Sequence, residues 1–319
     1  MKRFLEFLTS LCVIGLLSLA SCILVYTLIK PDKNHFFFSS LHKLDLVKET
    51  PSPRIILTGG SNIAMGVDSK LLEQEFGIPV VNYGLQVRLG VAPMQELKSY
   101  IQSGDIILVS LEYYNFLNEE AFFGEPQALA DWIEFSPERI QYVRTPQIET
   151  PLLFNIIVQR KINRQLNYYL YGNSLYQVRG IFTSDGFNED GDFIGHLDQQ
   201  PLDPNQIEDS MYPISTLEIA YEYLKAYNQY ALSKGARVFY EPQANRKSNC
   251  EATGLGNMKE FYKRIEKNTS IPILSSLDDL CLPDPYFFDT PYHLNAYGRE
   301  VRTLRLIDNL RKELQFSNE

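Results

Sequence analysis

A serine near the start of the chain lies in a sequence context that suits a nucleophile. Ser61 follows an apolar run that starts at Ile55 and the glycine pair Gly59-Gly60. This pattern predicts a buried strand, a sharp turn and the first residue of a helix. At the carboxyl end of a parallel strand such a serine faces the ligand-binding edge, and the N–H groups of the next helix point toward an oxyanion there. The same pattern also fits an ordinary N-cap serine.

An aspartate and a histidine stand close together near the other end of the chain. Asp289 and His293 lie on a predicted loop before a helix. An imidazole takes the proton of a serine hydroxyl, and a carboxylate holds the imidazole in the required tautomer. Two other histidines, His35 and His42, lie in a predicted stalk away from this chemistry, and His196 lies in a predicted insertion, where a structural role is expected. His293 is therefore the candidate base, and Asp289 is the group that orients it.

These two stretches resemble the SGNH (GDSL-like) hydrolase superfamily, whose serine lies in a Gly-Asp-Ser block after the first strand and whose Asp-x-x-His block lies near the C-terminus. Gly60-Ser61-Asn62 and the stretch from Asp289 to His293 are similar in kind, order and distance from the chain ends. The resemblance is closest to the membrane-anchored branch that includes alginate O-acetyltransferase-like proteins and the D-alanyl transfer protein of teichoic acid synthesis. It covers residues 51–115 and 216–310.

The chain departs from the superfamily pattern at several positions. Gly60 stands where an aspartate precedes the serine, and Thr290 adds one residue between the acid and the base. The resemblance implies an oxyanion hole in which Gly84 matches the glycine of the superfamily's second block and Asn115 is the only asparagine available as a side-chain donor, a few residues late. Glu112 is the alternative residue at the position of the donor asparagine. In that case the oxyanion hole would lack a side-chain donor.

The resemblance implies an acyl-ester hydrolase or O-acyltransferase that uses Ser61, His293 and Asp289 and needs no cofactor or metal. Its substrate would be an acylated glycan or lipid of the cell envelope, and a membrane-bound O-acyltransferase would be a possible partner. The departures favour an alternative, in which the chain is a catalytically inactive relative that binds glycan or an acyltransferase partner.

Near both ends of the soluble part, short apolar runs alternate with segments whose apolar residues have helical spacing. The pattern predicts an α/β fold with a parallel sheet flanked by helices. The resemblance implies that this fold is the three-layer sandwich of SGNH or flavodoxin-like proteins. Strands are predicted after residue 54 and at residues 79–84, 106–111, 236–240 and 271–274. Residues 116–215 lack this alternation, and they are predicted to form an inserted cap over the carboxyl edge of the sheet within a domain of residues 51–319.

An uncharged run at residues 8–29 has the length of a membrane-spanning helix. Lys2 and Arg3 precede it, which favours a cytoplasmic N-terminus. Residues 1–30 are therefore predicted to be a single-pass anchor in the cytoplasmic membrane, with residues 31–50 as a stalk and the C-terminal domain extracytoplasmic. Cys22 follows Leu-Ala-Ser, which leaves a lipoprotein cleavage site as an alternative to the uncleaved anchor.

The net charge, an acidic run and two cysteines give further predictions about partners, metal binding and disulfides. A net charge of −9 without a cluster of lysine and arginine argues against a nucleic-acid partner. The acidic run at residues 188–192 does not match a calcium-binding EF-hand loop, because its first and twelfth positions would be Gly186 and Leu197. Cys250 and Cys281 are the cysteines of the soluble part, and in an oxidising compartment they are predicted to pair.

Overall fold

The structure is a computed structural model that describes residues 2–28, 32–143, 150–171, 180–207 and 217–316. The strands are β1 (Ile55–Gly59), β2 (Val80–Asn82), β3 (Ile106–Ser110), β4 (Arg237–Tyr240), β5 (Asn245–Arg246) and β6 (Cys281–Leu282). The helices are α1 (Lys2–Leu28), α2 (Ser39–Glu49), α3 (Ser61–Gly66), α4 (Ser69–Phe76), α5 (Ala92–Leu97), α6 (Glu119–Phe123), α7 (Pro126–Phe135), α8 (Thr150–Tyr171), α9 (Glu218–Ser233), α10 (Lys247–Thr253), α11 (Leu255–Thr269), α12 (Leu277–Leu280) and α13 (Ala296–Phe316).

Four parallel strands form the central sheet in the order β2-β1-β3-β4. Ile55 of β1 lies opposite Val80 of β2 and Ile106 of β3, so the strands begin level with one another. The chain order reverses direction between β1 and β3. In open parallel sheets this reversal leaves a crevice outside the carboxyl ends of the two strands, where ligands bind.

Helices cover both faces of this sheet, because successive strand residues point to opposite sides. Ile106 and Leu108 of β3 pack with the helices α3, α4 and α13. Ile107 and Val109 pack on the other side with α5, α9 and α11. The predicted α/β fold with a parallel sheet flanked by helices is therefore confirmed.

The predicted strand at residues 271–274 is only a single bridge, between Ile273 and Tyr240. Two hydrogen bonds flank this bridge: Tyr240 N–H donates to the Pro272 carbonyl, and Leu274 N–H donates to the Tyr240 carbonyl, each at 2.8 Å. Pro272 has no N–H to contribute to a longer ladder. The edge of the sheet beside β4 is therefore short.

Residues 35–49 belong to the folded domain, although the sequence predicted a stalk here. Phe37 is buried in a cluster with Trp132 of α7. Leu44 and Val47 of α2 are buried against Ile56 of β1. The sequence prediction missed this packing because the aromatic run beside the apolar segment also fits a membrane interface. The folded domain therefore includes residues 35–49, a few positions after the end of α1.

The predicted cap, residues 116–215, contains α6, α7 and α8 and the irregular segment 180–207, while residues 144–149, 172–179 and 208–216 lie outside the described residues. Residues 150–171 of the predicted cap form the long helix α8. In the segment after it, Phe187 and Phe193 form an antiparallel bridge. Phe193 N–H donates to the carbonyl of Ala64 in α3, so this part of the cap lies directly over the serine turn.

A disulfide joins Cys250 of α10 to Cys281 of β6, with the two Cα atoms 6.1 Å apart. The predicted pairing is confirmed. The bond closes a loop beside the strand pair β5–β6, where Asn245 lies opposite Cys281.

The N-terminal helix α1 is long and apolar enough to cross a membrane. Its candidate span, Lys2–Ser21, has a mean hydropathy of 1.9, and none of that window is buried in the protein. Length and composition support a membrane span, and the direction in which the chain crosses stays a prediction.

Candidate active site

The serine turn is built from two glycines at the carboxyl end of β1. A Cβ atom on Gly59, whose φ is +154°, would come within 2.2 Å of the Ser110 carbonyl oxygen in β3. Gly60 then forms the N-cap of α3 in extended backbone. Ser61 is the first residue of that helix, so its hydroxyl lies at the crevice between β1 and β3.

Ser61, His293 and Asp289 form a continuous chain of hydrogen bonds. Ser61 Oγ lies 2.8 Å from His293 Nε2, and His293 Nδ1 lies 2.7 Å from Asp289 Oδ1. With its hydrogen on Nδ1, the imidazole donates to the carboxylate and accepts from the hydroxyl, which is the arrangement that activates a serine. The imidazole and carboxylate are 14% and 22% exposed, so the base is shielded yet reachable.

A threonine turn accommodates the extra residue between the acid and the base. Thr290 Oγ1 accepts hydrogen bonds from the N–H groups of His293 and Tyr292, at 3.0 and 3.3 Å. The ends of the loop are joined by a hydrogen bond from Phe288 N–H to the His293 carbonyl. The loop therefore directs both side chains of the pair to one side despite its longer spacing.

The two predicted oxyanion donors make other hydrogen bonds. Gly84 N–H donates to Asn82 Oδ1 at 3.0 Å. The Asn115 amide donates to the carbonyls of Val87 and Ala121, at 2.9 and 3.0 Å. Because the glycine N–H and both amide hydrogens have acceptors, the geometry does not present either group to an oxygen at the nucleophile. The sequence could match residue types, but it could not show where these donors point.

Packing explains the glycine at position 84 without any catalytic role. A Cβ atom there would lie 2.1 Å from Ile63 Cγ2 and 2.9 Å from the Ala64 nitrogen. A side chain would therefore overlap α3. The N–H of Ser61 is a better candidate oxyanion donor, because the first N–H groups of a helix have no carbonyl one turn earlier within the helix.

Glu112 contacts the serine turn. Its Oε1 accepts from the Asn62 side-chain amide at 3.2 Å and from the Asn62 N–H at 3.4 Å. A Cβ atom on Gly60 would lie 2.4 Å from this same oxygen. The glycine in place of the expected aspartate therefore leaves the space that the Glu112 carboxyl fills. Burial raises the pKa of Glu112 above its ordinary value.

A fully buried arginine, Arg302, forms a hydrogen bond with the backbone of the serine turn. Arg302 of α13 donates from Nη1 to the Asn62 carbonyl at 2.7 Å, and its Nε lies 4.0 Å from Glu241 Oε1. Both side chains of this ion pair are fully buried. Burial raises the pKa of Glu241 to about 7, although Arg302 acts in the opposite direction. Sequence reasoning missed both residues, and the one signal was the position of Glu241 directly after the apolar run of β4.

His196 supports the loop that carries the base. Its Nε2 lies 2.8 Å from the carbonyl of Leu294, the residue after His293, and its ring stacks on Phe193. Burial lowers the pKa of His196 to about 4, so the ring is neutral near pH 7. These contacts agree with the structural role that the sequence indicated.

A pocket of about 490 Å³ opens at Ser61 and His293. Its volume lies in the range of small-molecule sites, roughly 300–1,000 Å³. One part of the wall is apolar and includes Phe36, Phe37, Met65, Leu85 and Phe182. His35 also lines this pocket, contrary to the expectation that it lies far from the site.

The charged residues of the pocket wall are paired with one another. Arg160 donates from Nε to Asp131 Oδ1 at 2.6 Å, and a second bond joins Nη2 to Oδ2. Arg88 Nε lies 3.8 Å from Glu125 Oε1. These pairs balance charge across the pocket, which favours an uncharged polar ligand over an anion or cation.

Across the described ranges, no group of three or more histidine, cysteine, aspartate or glutamate side chains is arranged to hold a metal ion.

No family model matches the chain, and no curated protein matches it at a significant level. The resemblance to the SGNH superfamily therefore stays an expectation from the residues around Ser61 and His293.

Proposed function

We propose that the chain is a membrane-anchored, extracytoplasmic SGNH-like enzyme that acts on an acyl ester of a cell-envelope glycan or lipid. It would hydrolyse the ester or transfer the acyl group to a hydroxyl. The observation that carries this proposal is the hydrogen-bonded chain from Ser61 through His293 to Asp289 at the mouth of a pocket.

In the proposed reaction, Ser61 Oγ bonds to the acyl carbon while its proton passes to His293 Nε2. The negative oxygen of the tetrahedral intermediate lies nearest the Ser61 N–H, and Asp289 stabilises the imidazolium. When the ester bond breaks, the leaving oxygen takes the proton from His293. Water or an acceptor hydroxyl then gives a proton to the same nitrogen as it attacks the acyl-serine, which releases the product and restores Ser61.

The acyl group would come from a membrane-bound O-acyltransferase or from the ester substrate itself. The anchor supports the first arrangement, because α1 would hold the domain beside a partner in the same membrane. The paired charges of the pocket wall support an uncharged, hydroxyl-bearing substrate, as a glycan or the polar part of a lipid would be.

A fluorophosphonate probe tests the proposal on the full chain in detergent. This probe reacts with an activated serine, so wild type is expected to be labelled and Ser61→Ala is expected to be unlabelled. His293→Ala should lower labelling strongly, because Ser61 then lacks its base. Ser233→Ala is the matched control, since Ser233 is an exposed serine at the end of α9 and should leave labelling unchanged.

Labelling that survives Ser61→Ala, or a folded wild type that is never labelled, would contradict the proposal. The second outcome favours the alternative, an inactive relative that binds glycan or an acyltransferase partner through the same pocket. The hydrogen bond from the Asn62 amide to Glu112 supports that alternative, because it uses a side-chain donor at the serine turn that an oxyanion would otherwise meet.

A further inference from the structure

The pocket beside Ser61 is partly built by residues that follow the membrane-spanning segment within a few positions. His35, Phe36 and Phe37 line the pocket, and α1 ends at Leu28. An extended chain covers at most about 3.5 Å per residue, so Phe36 lies within roughly 28 Å of the end of α1 whatever path the chain takes. With α1 as the proposed membrane span, this part of the pocket wall lies within that distance of the end of α1.

Backbone contacts fix this wall to the rest of the domain. His35 forms an antiparallel bridge with Thr183 of the cap, and Ser184 N–H donates to the Asn34 carbonyl at 3.3 Å. Phe37 is 4% exposed within the core. Because the segment after residue 34 is packed into the domain, only the residues between Leu28 and Asn34 separate the domain from its anchor.

A series of aromatic rings leads from this wall to the catalytic base. The Phe36 ring lies 5.6 Å from Phe193, and Phe193 stacks on Phe182 at 5.6 Å. Phe182 lies 6.4 Å from the His293 ring. Phe193 is itself fully buried, and Phe36 and Phe182 line the pocket beside Ser61. An acyl or alkyl chain that lies against these two rings would bury apolar surface, and burial of each CH₂ group contributes about 0.8 kcal/mol.

We infer that the substrate is an acyl ester on a molecule that is itself anchored in the bilayer. This inference rests on the proposed function, and it adds that the substrate is anchored in the same membrane as the protein. A short tether keeps the pocket within reach of bilayer-anchored esters and gives them a high effective concentration. The part of the pocket where the charged side chains are paired receives the polar head of that molecule, and the aromatic wall receives its chain.

The test uses the full chain reconstituted in phosphatidylcholine vesicles, with two fluorogenic coumarin esters. One ester is carried by a diacylglycerol anchor in the same vesicles, and the other is soluble coumarin acetate. A rigid spacer of six EAAAK repeats between residues 30 and 31 would lift the domain by about 45 Å where helical. A Gly/Ser insertion of equal length is the matched control, because its r.m.s. span is only roughly 30 Å and it bends back freely.

The rigid spacer is expected to lower the rate on the anchored ester by about tenfold or more, and the flexible one is expected to lower it less. Both variants should cleave the soluble ester as fast as wild type, which shows that the domain is folded. An anchored-ester rate that the rigid spacer leaves unchanged would overturn the inference, as would a wild type that cleaves only the soluble ester. If wild type cleaves neither ester faster than Ser61→Ala, the proposed function itself fails.

Discussion

The Asp289 carboxylate points directly at the imidazole, and this contact determines what its replacement will do. An asparagine amide in its place would favour the wrong imidazole tautomer, so Asp289→Asn is expected to lower kcat on a soluble ester by on the order of a thousandfold or more. Steady-state hydrolysis by the detergent-solubilised chain measures this. Asp198→Asn is the control, because Asp198 is an exposed acid of the cap. A rate near that of wild type for Asp289→Asn would mean that the contact has no catalytic role.

Gly60 and Glu112 should behave as a coupled pair. Gly60→Ala places a Cβ atom 2.4 Å from Glu112 Oε1 and 3.1 Å from Val87 Cα, so it should destabilise the chain. In a Glu112→Ala background the first overlap is absent, and the cost should be smaller by about 1 kcal/mol or more. Thermal unfolding of the wild type, the two single variants and the double variant measures the coupling. Additive effects would show that the carboxyl does not limit position 60.

The sequence predicted some residues of the site better than others. Ser61, Asp289 and His293 were predicted because local patterns place them after a strand or before a helix, and the structure brings their side chains together. Arg302 was missed because nothing in its helix distinguishes a buried arginine from an exposed one. Its burial depends on Asn62, a partner far away in the sequence, which only the fold brings close.

The segment that links the anchor to the sheet should contribute to the stability of the whole domain. Phe37 is 4% exposed, so Phe37→Ala is expected to reduce the free energy of unfolding by about 3–5 kcal/mol. Chemical denaturation of the solubilised chain measures the loss. Leu232→Ala is the control, because Leu232 is 56% exposed and its truncation should change little. An equally small effect of Phe37→Ala would mean that this segment does not stabilise the domain, as expected of a stalk.

Elements with long apolar runs were predicted well, and those stabilised by buried polar groups were not. β1, β3 and β4 follow from their apolar residues, whereas the burial of α2 depends partly on Lys43. Its Nζ donates to the carbonyls of Asn82 and Gly191, the first at 2.7 Å, and burial lowers its pKa to about 7. A lysine in sequence indicates a solvated face, so no periodicity rule could have placed it inside.

The molecule as a whole should show a pH dependence of stability that comes from Glu241. Its pKa rises from the ordinary 4.5 to about 7 in the folded chain. Between these values the unfolded chain loses the proton while the folded chain keeps it, so stability falls as pH rises through this window, by on the order of 3 kcal/mol. Glu241→Gln cannot ionise and should lack this fall.

The difference in unfolding free energy between wild type and Glu241→Gln, measured from pH 4 to 8, isolates this effect. His196 acts in the opposite direction, because its pKa is lowered to about 4 and its contribution rises with pH over an overlapping window. Subtracting the two curves removes that contribution. A difference that stays constant across the range would contradict the assignment to Glu241.

The contacts of Asp192 limit how this protein could have been assembled or could be re-engineered. The carboxylate of this cap residue accepts from Ser69 Oγ at 2.5 Å, from the Asn82 amide at 2.8 Å and from Arg299 Nη2 at 2.6 Å. Those partners come from three separate elements of the α/β body. The insertion is therefore not an interchangeable module, and recombination that swapped in a foreign loop would have to bring a matching acid or remodel all three positions.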